Sequence, residues 1–236
     1  MERKISFSEG EYYHIYNRGV NKNDIFGDIH DREHFVRLLF VSNSNRAVRF
    51  SEIKSLPFSS INRNEPLVSI GAYCLMPNHF HVLIKEINEG GISRFMAKLT
   101  TGYSMYFNKL HGRVGPLFQS RFKASHVNND NYLKYLFAYI HLNPVKLIEP
   151  EWKEKGIIDK NFAENYLKKY RYSSYEDYTG IEREENMILT KEVFPDYFDS
   201  THDFKDFITD WLTYKNEEEV EGVLQGTPLL EQGRTL

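Results

Sequence analysis

One cysteine, Cys74, in 236 residues excludes an internal disulfide and a cysteine-rich zinc site. Long apolar runs are also missing: hydrophobic stretches break within a few residues, far short of the roughly 20 that span a bilayer. No membrane partner is therefore expected. The opening segment, Met1 to Tyr13, lacks the apolar core of a secretory signal, so the expected location is the cytoplasm. Nor is there an internal repeat, a low-complexity tract or a glycine-rich phosphate-binding loop, and no nucleotide cofactor is expected.

What remains is the make-up of a folded soluble chain, 41% hydrophobic and 27% charged. The net charge of −3 conceals a split. Residues 1–150 hold 19 Lys and Arg against 13 Asp and Glu, whereas residues 151–236 hold 11 against 20. A basic first part suits a polyanion and an acidic second part does not. Charge also drifts along chains with no such partner, so the split gains meaning only beside other signals. The 15% aromatic content, with 16 Tyr, fits a stacking surface or a large core equally well.

Hydrophobic periodicity gives the element order. Tyr12 to Tyr16 reads as a strand running into a turn at Asn17-Arg18-Gly19. Asp31 to Phe40 is helical, with Phe35, Leu38 and Leu39 spaced for one buried face. Residues 41–66, rich in Ser and Asn and carrying Pro57 and Pro66, read as a long loop or insertion. Val68 to Met76 and Phe80 to Lys85 are strands joined by a turn at Pro77-Asn78. Ile92 to Leu110 is a long helix ending at Gly112. Leu117 to Val127 reads as a strand, and Asp130 to Leu142 as a helix stopped before Pro144. Strand, helix, hairpin, helix, strand, helix describes an α+β sandwich with an antiparallel sheet. It occupies residues 1–150 as one domain. Beyond it, residues 151–236 form an acidic extension with short helices near 161–170 and 203–214, and a polar tail from Lys215.

Three groups of residues can carry chemistry. His79 and His81 lie two apart on a strand and project from one face, while Phe80, Val82 and Ile84 point to the core. Two imidazoles side by side can chelate a divalent metal; a solvated strand face carrying two histidines has the same pattern. In the helix 130–143, Leu133, Leu136, Phe137 and Ile140 form the buried stripe. Tyr132, Tyr135, Tyr139 and Asn143 lie on the adjoining flank, with Tyr139 and Asn143 one turn apart. A tyrosine at such a border also packs its ring for purely structural reasons. In 117–127, Phe118, Phe122 and Ala124 alternate with Gln119, Arg121, Lys123 and Ser125, giving one apolar face and one basic face able to lie along a phosphate backbone. Arg18, Arg94, Lys98 and Lys109 extend that basic surface if the fold brings them together.

The string from Tyr73 through Pro77-Asn78-His79-Phe80-His81 to Leu83 closely resembles the metal-binding hairpin of the single-tyrosine HUH transposases, the insertion-sequence type. Phe118 to Ala124 and Tyr139-Ile140-His141-Leu142-Asn143-Pro144-Val145 match the REP-associated tyrosine transposase branch in order, and Tyr13 to Gly19 looks like its opening strand. Commoner insertion-sequence members carry Gln at the position of Asn143. Tyr170 to Tyr175 looks like a segment of longer relatives. The resemblance covers about residues 10 to 150.

That resemblance implies a ferredoxin-like antiparallel sheet flanked by helices, with the His pair on a central strand. It implies a DNA strand transferase acting on single-stranded or hairpin DNA through a 5′-phosphotyrosine. Tyr139 is then the nucleophile, and His79, His81 and Asn143 are the ligands of Mg²⁺ or Mn²⁺. Arg18, Gln119, Arg121 and Lys123 would contact DNA. Family members often act as dimers, so a homodimer is compatible with it. Two other functions share these features: a non-cleaving DNA or RNA hairpin binder on the same fold, and a metal-dependent phosphodiesterase that uses water instead of Tyr139.

Overall fold

A computed structural model describes residues 6–46, 53–198 and 200–213. Strand β1 (Tyr12–Arg18) leads to helix α1 (Ile29–Ser42), then to the hairpin β2 (Val68–Met76) and β3 (His79–Glu86). Helix α2 (Gly91–Leu110), strand β4 (Lys123–Val127) and helix α3 (Asp130–Leu142) complete the core. The sheet order is β2-β3-β1-β4, with every pair antiparallel. This is the split β-α-β of the ferredoxin-like fold, and it is the α+β sandwich expected from the element order.

Helix starts are capped where the sequence places short polar residues. Asp28 accepts from the Asp31 amide and Asn129 from the Tyr132 amide, each satisfying an otherwise orphaned donor. At α2 the cap is remote: the buried Glu86 carboxylate accepts from the amides of Gly91 and Ile92. Gly91 is needed there, because a Cβ would meet the Leu67 carbonyl oxygen at 2.2 Å.

The sheet is covered on both faces, so β2 is buried along its whole length and reads as a nearly continuous apolar run broken only by Ser69. On one face Tyr13, Ile15, Phe80, Val82 and Ile84 pack with Phe35 and Leu39 of α1 and Phe95 and Leu99 of α2. On the other, Ala72, Cys74, Met76, Leu83 and Val127 pack against Leu133, Leu136, Phe137 and Ile140 of α3. The predicted buried stripe of α3 is therefore its packing face. Tyr132, expected on the flank, is buried with it.

The strand expected over 117–127 begins only at Lys123. The β1–β4 ladder stops at Tyr16–Lys123 and the next bridge, Gly19–Phe118, is two residues out of that register, so residues 117–122 do not extend the strand. They are held instead by a bridge between Gly19 and Phe118 and by bonds from the Gln119 amide to the Arg18 carbonyl and from Asn17 Nδ2 to the Ser120 carbonyl. Gln119 and Arg121 thus lie on an irregular exposed segment, not on a strand.

In the expected 41–66 insertion, buried Asn43 bonds three backbone groups at the start of β2, accepting from Leu67 N and Val68 N and donating to Val68 O. Beyond α3 run a 3₁₀ segment (Asn143–Leu147), α4 (Trp152–Lys155), α5 (Lys160–Leu167), α6 (Tyr175–Tyr178) and α7 (Thr201–Thr213). This part lies along the outer edge of β2: the Leu75 amide donates to Tyr172 O, Ser174 N to Tyr73 O and Thr190 N to Ile70 O. Arg183 pins it, donating to Asp177, Glu176 and the Ser173 carbonyl. The tail expected from Lys215 lies outside the described residues. No helix among the described residues is long and apolar enough to cross a membrane.

Candidate active site

The register fixes what shares a face. Arg18 opposes His79, Tyr16 opposes His81 and His14 opposes Leu83, so His14, Tyr16 and Arg18 project on the same side as the His pair. That side is covered by α3, and His81 is buried rather than solvated. Its ring centroid is 5.0 Å from that of His79, with the planes at 88°. Tyr139, half-buried on α3, presents its ring edge-on to His81 at 5.4 Å and to His14 at 5.8 Å. Strand parity and one helical turn therefore bring both histidines and the tyrosine into one cluster. Asn143 is buried one turn beyond Tyr139 and donates its Nδ2 to the Tyr139 carbonyl at 2.8 Å, leaving Oδ1 as its atom of ligand type.

The two rings are oriented by neighbours. Asn78 donates its Nδ2 to the Lys22 carbonyl, which points its Oδ1 at His79 Nδ1, 2.6 Å away. An oxygen acceptor there requires the proton on His79 Nδ1, and the neutral ring then carries its lone pair on Nε2. His81 Nδ1 shares a 2.9 Å hydrogen bond with His14 Nε2. Among the described residues, no group of three or more His, Cys, Asp or Glu could hold a metal ion. Two neutral imidazoles side by side are donors of a type that suits a divalent ion.

The basic residues divide. Lys123 opposes Tyr16, so it lies in the cross-strand row Cys74, His81, Tyr16, Lys123 on the site face, roughly 10 Å from β3 at ordinary strand spacing. Arg18 is beside His79 in the register. Arg121 instead lines a groove of about 810 Å³ with Asn17, Thr100 and Ser104, on the α2 side of the sheet. Lys98 is spent locally, donating to the carbonyls of Ser44 and Arg46. Arg94 bonds the Gly90 carbonyl at the start of α2. Even so, residues 90–129 contain six Lys and Arg and not one Asp or Glu, so the α2–β4 side presents cations with no carboxylate from its own segment.

The residues missed from sequence are His14 and Asn78. Parity places His14 on the Tyr16 face, but only the pairing of β1 with β3 shows that it reaches His81. Nothing in the string Pro77-Asn78-His79 says that the turn residue orients the histidine beside it.

Residues 12–143 match the family model described as "Transposase IS200 like". No curated protein sequence matches. Among solved structures, one of a REP-associated tyrosine transposase bound to a REP hairpin is similar at 14% identity, covering 78% of this chain and 90% of that one, with a TM-score of 0.47. With the family model spanning more than half its length, including β1, the histidine hairpin and the tyrosine helix, the chain belongs to the IS200-like transposases.

Proposed function

We propose that this transposase-family protein is a metal-dependent DNA strand transferase that cleaves and rejoins single-stranded or hairpin DNA through a 5′-phosphotyrosine on Tyr139. In this reading residues 1–150 are the catalytic domain, with 41–66 as an insertion, and 151–236 are an acidic extension. The observation that carries it is the Tyr139 ring against His81, within one cluster with His79.

Tyr139 Oη attacks the scissile phosphorus; the phosphorus–oxygen bond to Tyr139 forms as the bond to the 3′-oxygen breaks. The phenol proton leaves and the 3′-oxygen ends as a hydroxyl, and the retained phosphodiester energy permits rejoining to another end. His79, His81 and Asn143 would hold a Mg²⁺ or Mn²⁺ ion, which when bound polarises the phosphate and offsets charge developing in the transition state. Packing of α3 on the sheet restricts the Tyr139 ring, so little orientational freedom remains to be lost on attack. Arg18 and Lys123 on the site face, with Gln119 and Arg121 along the segment beyond β1, supply phosphate contacts.

The test is a denaturing gel with hairpin DNA and Mn²⁺. Wild-type protein is expected to shift as a covalent adduct. Tyr139→Phe keeps the ring and loses the adduct, whereas Tyr135→Phe keeps it. An adduct in Tyr139→Phe overturns the nucleophile assignment, and adduct-free hydrolysis by that variant favours the water-using phosphodiesterase. DNA binding without cleavage by wild-type protein favours the hairpin binder.

A further inference from the structure

We propose that His14 is a positioning residue of this site: its Nε2 accepts the hydrogen bond from His81 Nδ1–H and so keeps the His81 lone pair on Nε2. The inference rests on the reading of His79 and His81 as ion ligands. A neutral imidazole has one proton and one lone pair. Were His14 the donor in the 2.9 Å bond, His81 would spend its lone pair on that bond and carry its proton on Nε2. It would then have no nitrogen with which to bind an ion. Only the opposite direction leaves a ligand atom.

Asn78 does the same to the neighbouring ring, because its Oδ1 can only accept from His79 Nδ1. Two different outer residues thus impose one tautomer on both histidines. His14 is suited to the task by its own restraint: it is wholly buried, stacked on Tyr16 at 5.1 Å and edge-on to Tyr139 at 5.8 Å. Water does not compete for its nitrogen. The choice of imidazole also has an electrostatic reason. A carboxylate is the common partner of a metal-ligating histidine, but here it would bury a negative charge beside the place where a phosphodiester must approach. A neutral acceptor orients the ring without that repulsion.

The direction is read by ¹⁵N NMR of the histidine rings in metal-free, DNA-free protein at about pH 8, above the free imidazole value. Wild-type His81 is expected as the Nδ1–H tautomer. His14→Phe should release it toward Nε2–H and weaken Mn²⁺ binding by about 10–100-fold, the usual cost of losing an outer partner. His14→Gln, whose side-chain oxygen can accept the same bond, should keep the tautomer and most of the affinity. A wild-type His81 protonated on Nε2 overturns the proposal, and so does a His14→Phe protein with unchanged tautomer and affinity. Should His14→Phe fail to fold, the wild-type spectrum and His14→Gln still decide. Wild-type protein that shows the Nδ1–H tautomer but binds no Mn²⁺ defeats the ion reading while upholding the direction of the bond.

Discussion

The two faces of β1 and β3 are built from alternate residues of the same strands, yet they differ in kind. Toward α1 and α2 project Tyr13, Ile15, Phe80, Val82 and Ile84, all buried in one apolar cluster. Toward α3 project His14, Tyr16, His79 and His81, linked to one another by ring contacts, with His14 and His81 also against the Tyr139 ring. A side-chain period of two lets one strand serve stability on one side and chemistry on the other. The comparison teaches that a substitution's consequence should switch between the two with each step along His79-Phe80-His81.

The largest expected effect is the sharpest form of that switch. His79→Ala should abolish Mn²⁺-dependent cleavage and leave the melting temperature nearly unchanged, because His79 is only half-buried at the strand's end. Phe80→Ala, one residue on, should instead cost about 3–5 kcal/mol of stability by cavity formation, measured by denaturant unfolding. A folded, active Phe80→Ala protein together with a misfolded His79→Ala protein would break the comparison.

The extension stands next. Charge alone predicts that residues 1–150 bind DNA without it. The structure adds a demand: Tyr172, Ser174 and Thr190 satisfy the backbone of β2, and the Phe194 ring lies against Gly71, where a Cβ would come within 2.6 Å of it. A chain ending at Pro150 should expose that edge and its apolar face and elute from size-exclusion as aggregates. A monomeric truncated protein would show that the core closes without its cover.

A smaller effect separates the two groups of cations. Lys123→Ala, on the site face, should weaken DNA binding modestly across sequences and lower the salt slope by about one. It should also lower cleavage in proportion to the lost binding. Arg121→Ala, on the groove side, should change binding without altering cleavage at saturating DNA. Titrations at several salt concentrations, with cleavage measured in parallel, distinguish the two.

The smallest effect comes from the apolar side. His34 of α1 lies stacked on Tyr106 with ring centroids 3.5 Å apart, and burial pushes its pKa down to about 4, with Arg37 adding to the shift. The unfolded chain, with an ordinary histidine near 6.5, binds the proton more readily. The contribution is therefore complete above about 6.5 and is lost as pH falls toward about 4. His34→Gln should flatten the decline of the unfolding midpoint across that window, and an identical pH profile for both proteins would refute the assignment.

Much of this was legible from spacing alone. The hairpin, the two long helices and the buried stripe of the tyrosine helix all follow from runs of period two or near 3.6. The end of β4 toward Leu117 did not, because Phe118 and Phe122 keep the alternation although the pairing with β1 slips out of register beyond Lys123. The His pair and the Tyr139–Asn143 turn were visible as local patterns. The meeting of His81 with Tyr139 was not, since it depends on how α3 packs across the sheet. His14 was hidden because its contact with His81, 67 residues away in the chain, depends on which strand lies beside which. The role of 170–174 as a cover for β2 was equally silent, because edge pairing by an irregular segment leaves no periodicity.

Asn43 has a meaning for the chain's tolerance of change. By tying the end of α1 directly to the first residues of β2, it makes the two ends of the 44–66 excursion neighbours whatever lies between them. Lengthening a loop whose ends are already fixed costs only about 0.6 kcal/mol per doubling. Between those ends Ile53, Phe58 and Ile61 are anchored in the core, so a fluorescent domain or an affinity tag can be grafted only at the exposed positions between these anchors while both faces of the sheet keep their separate duties.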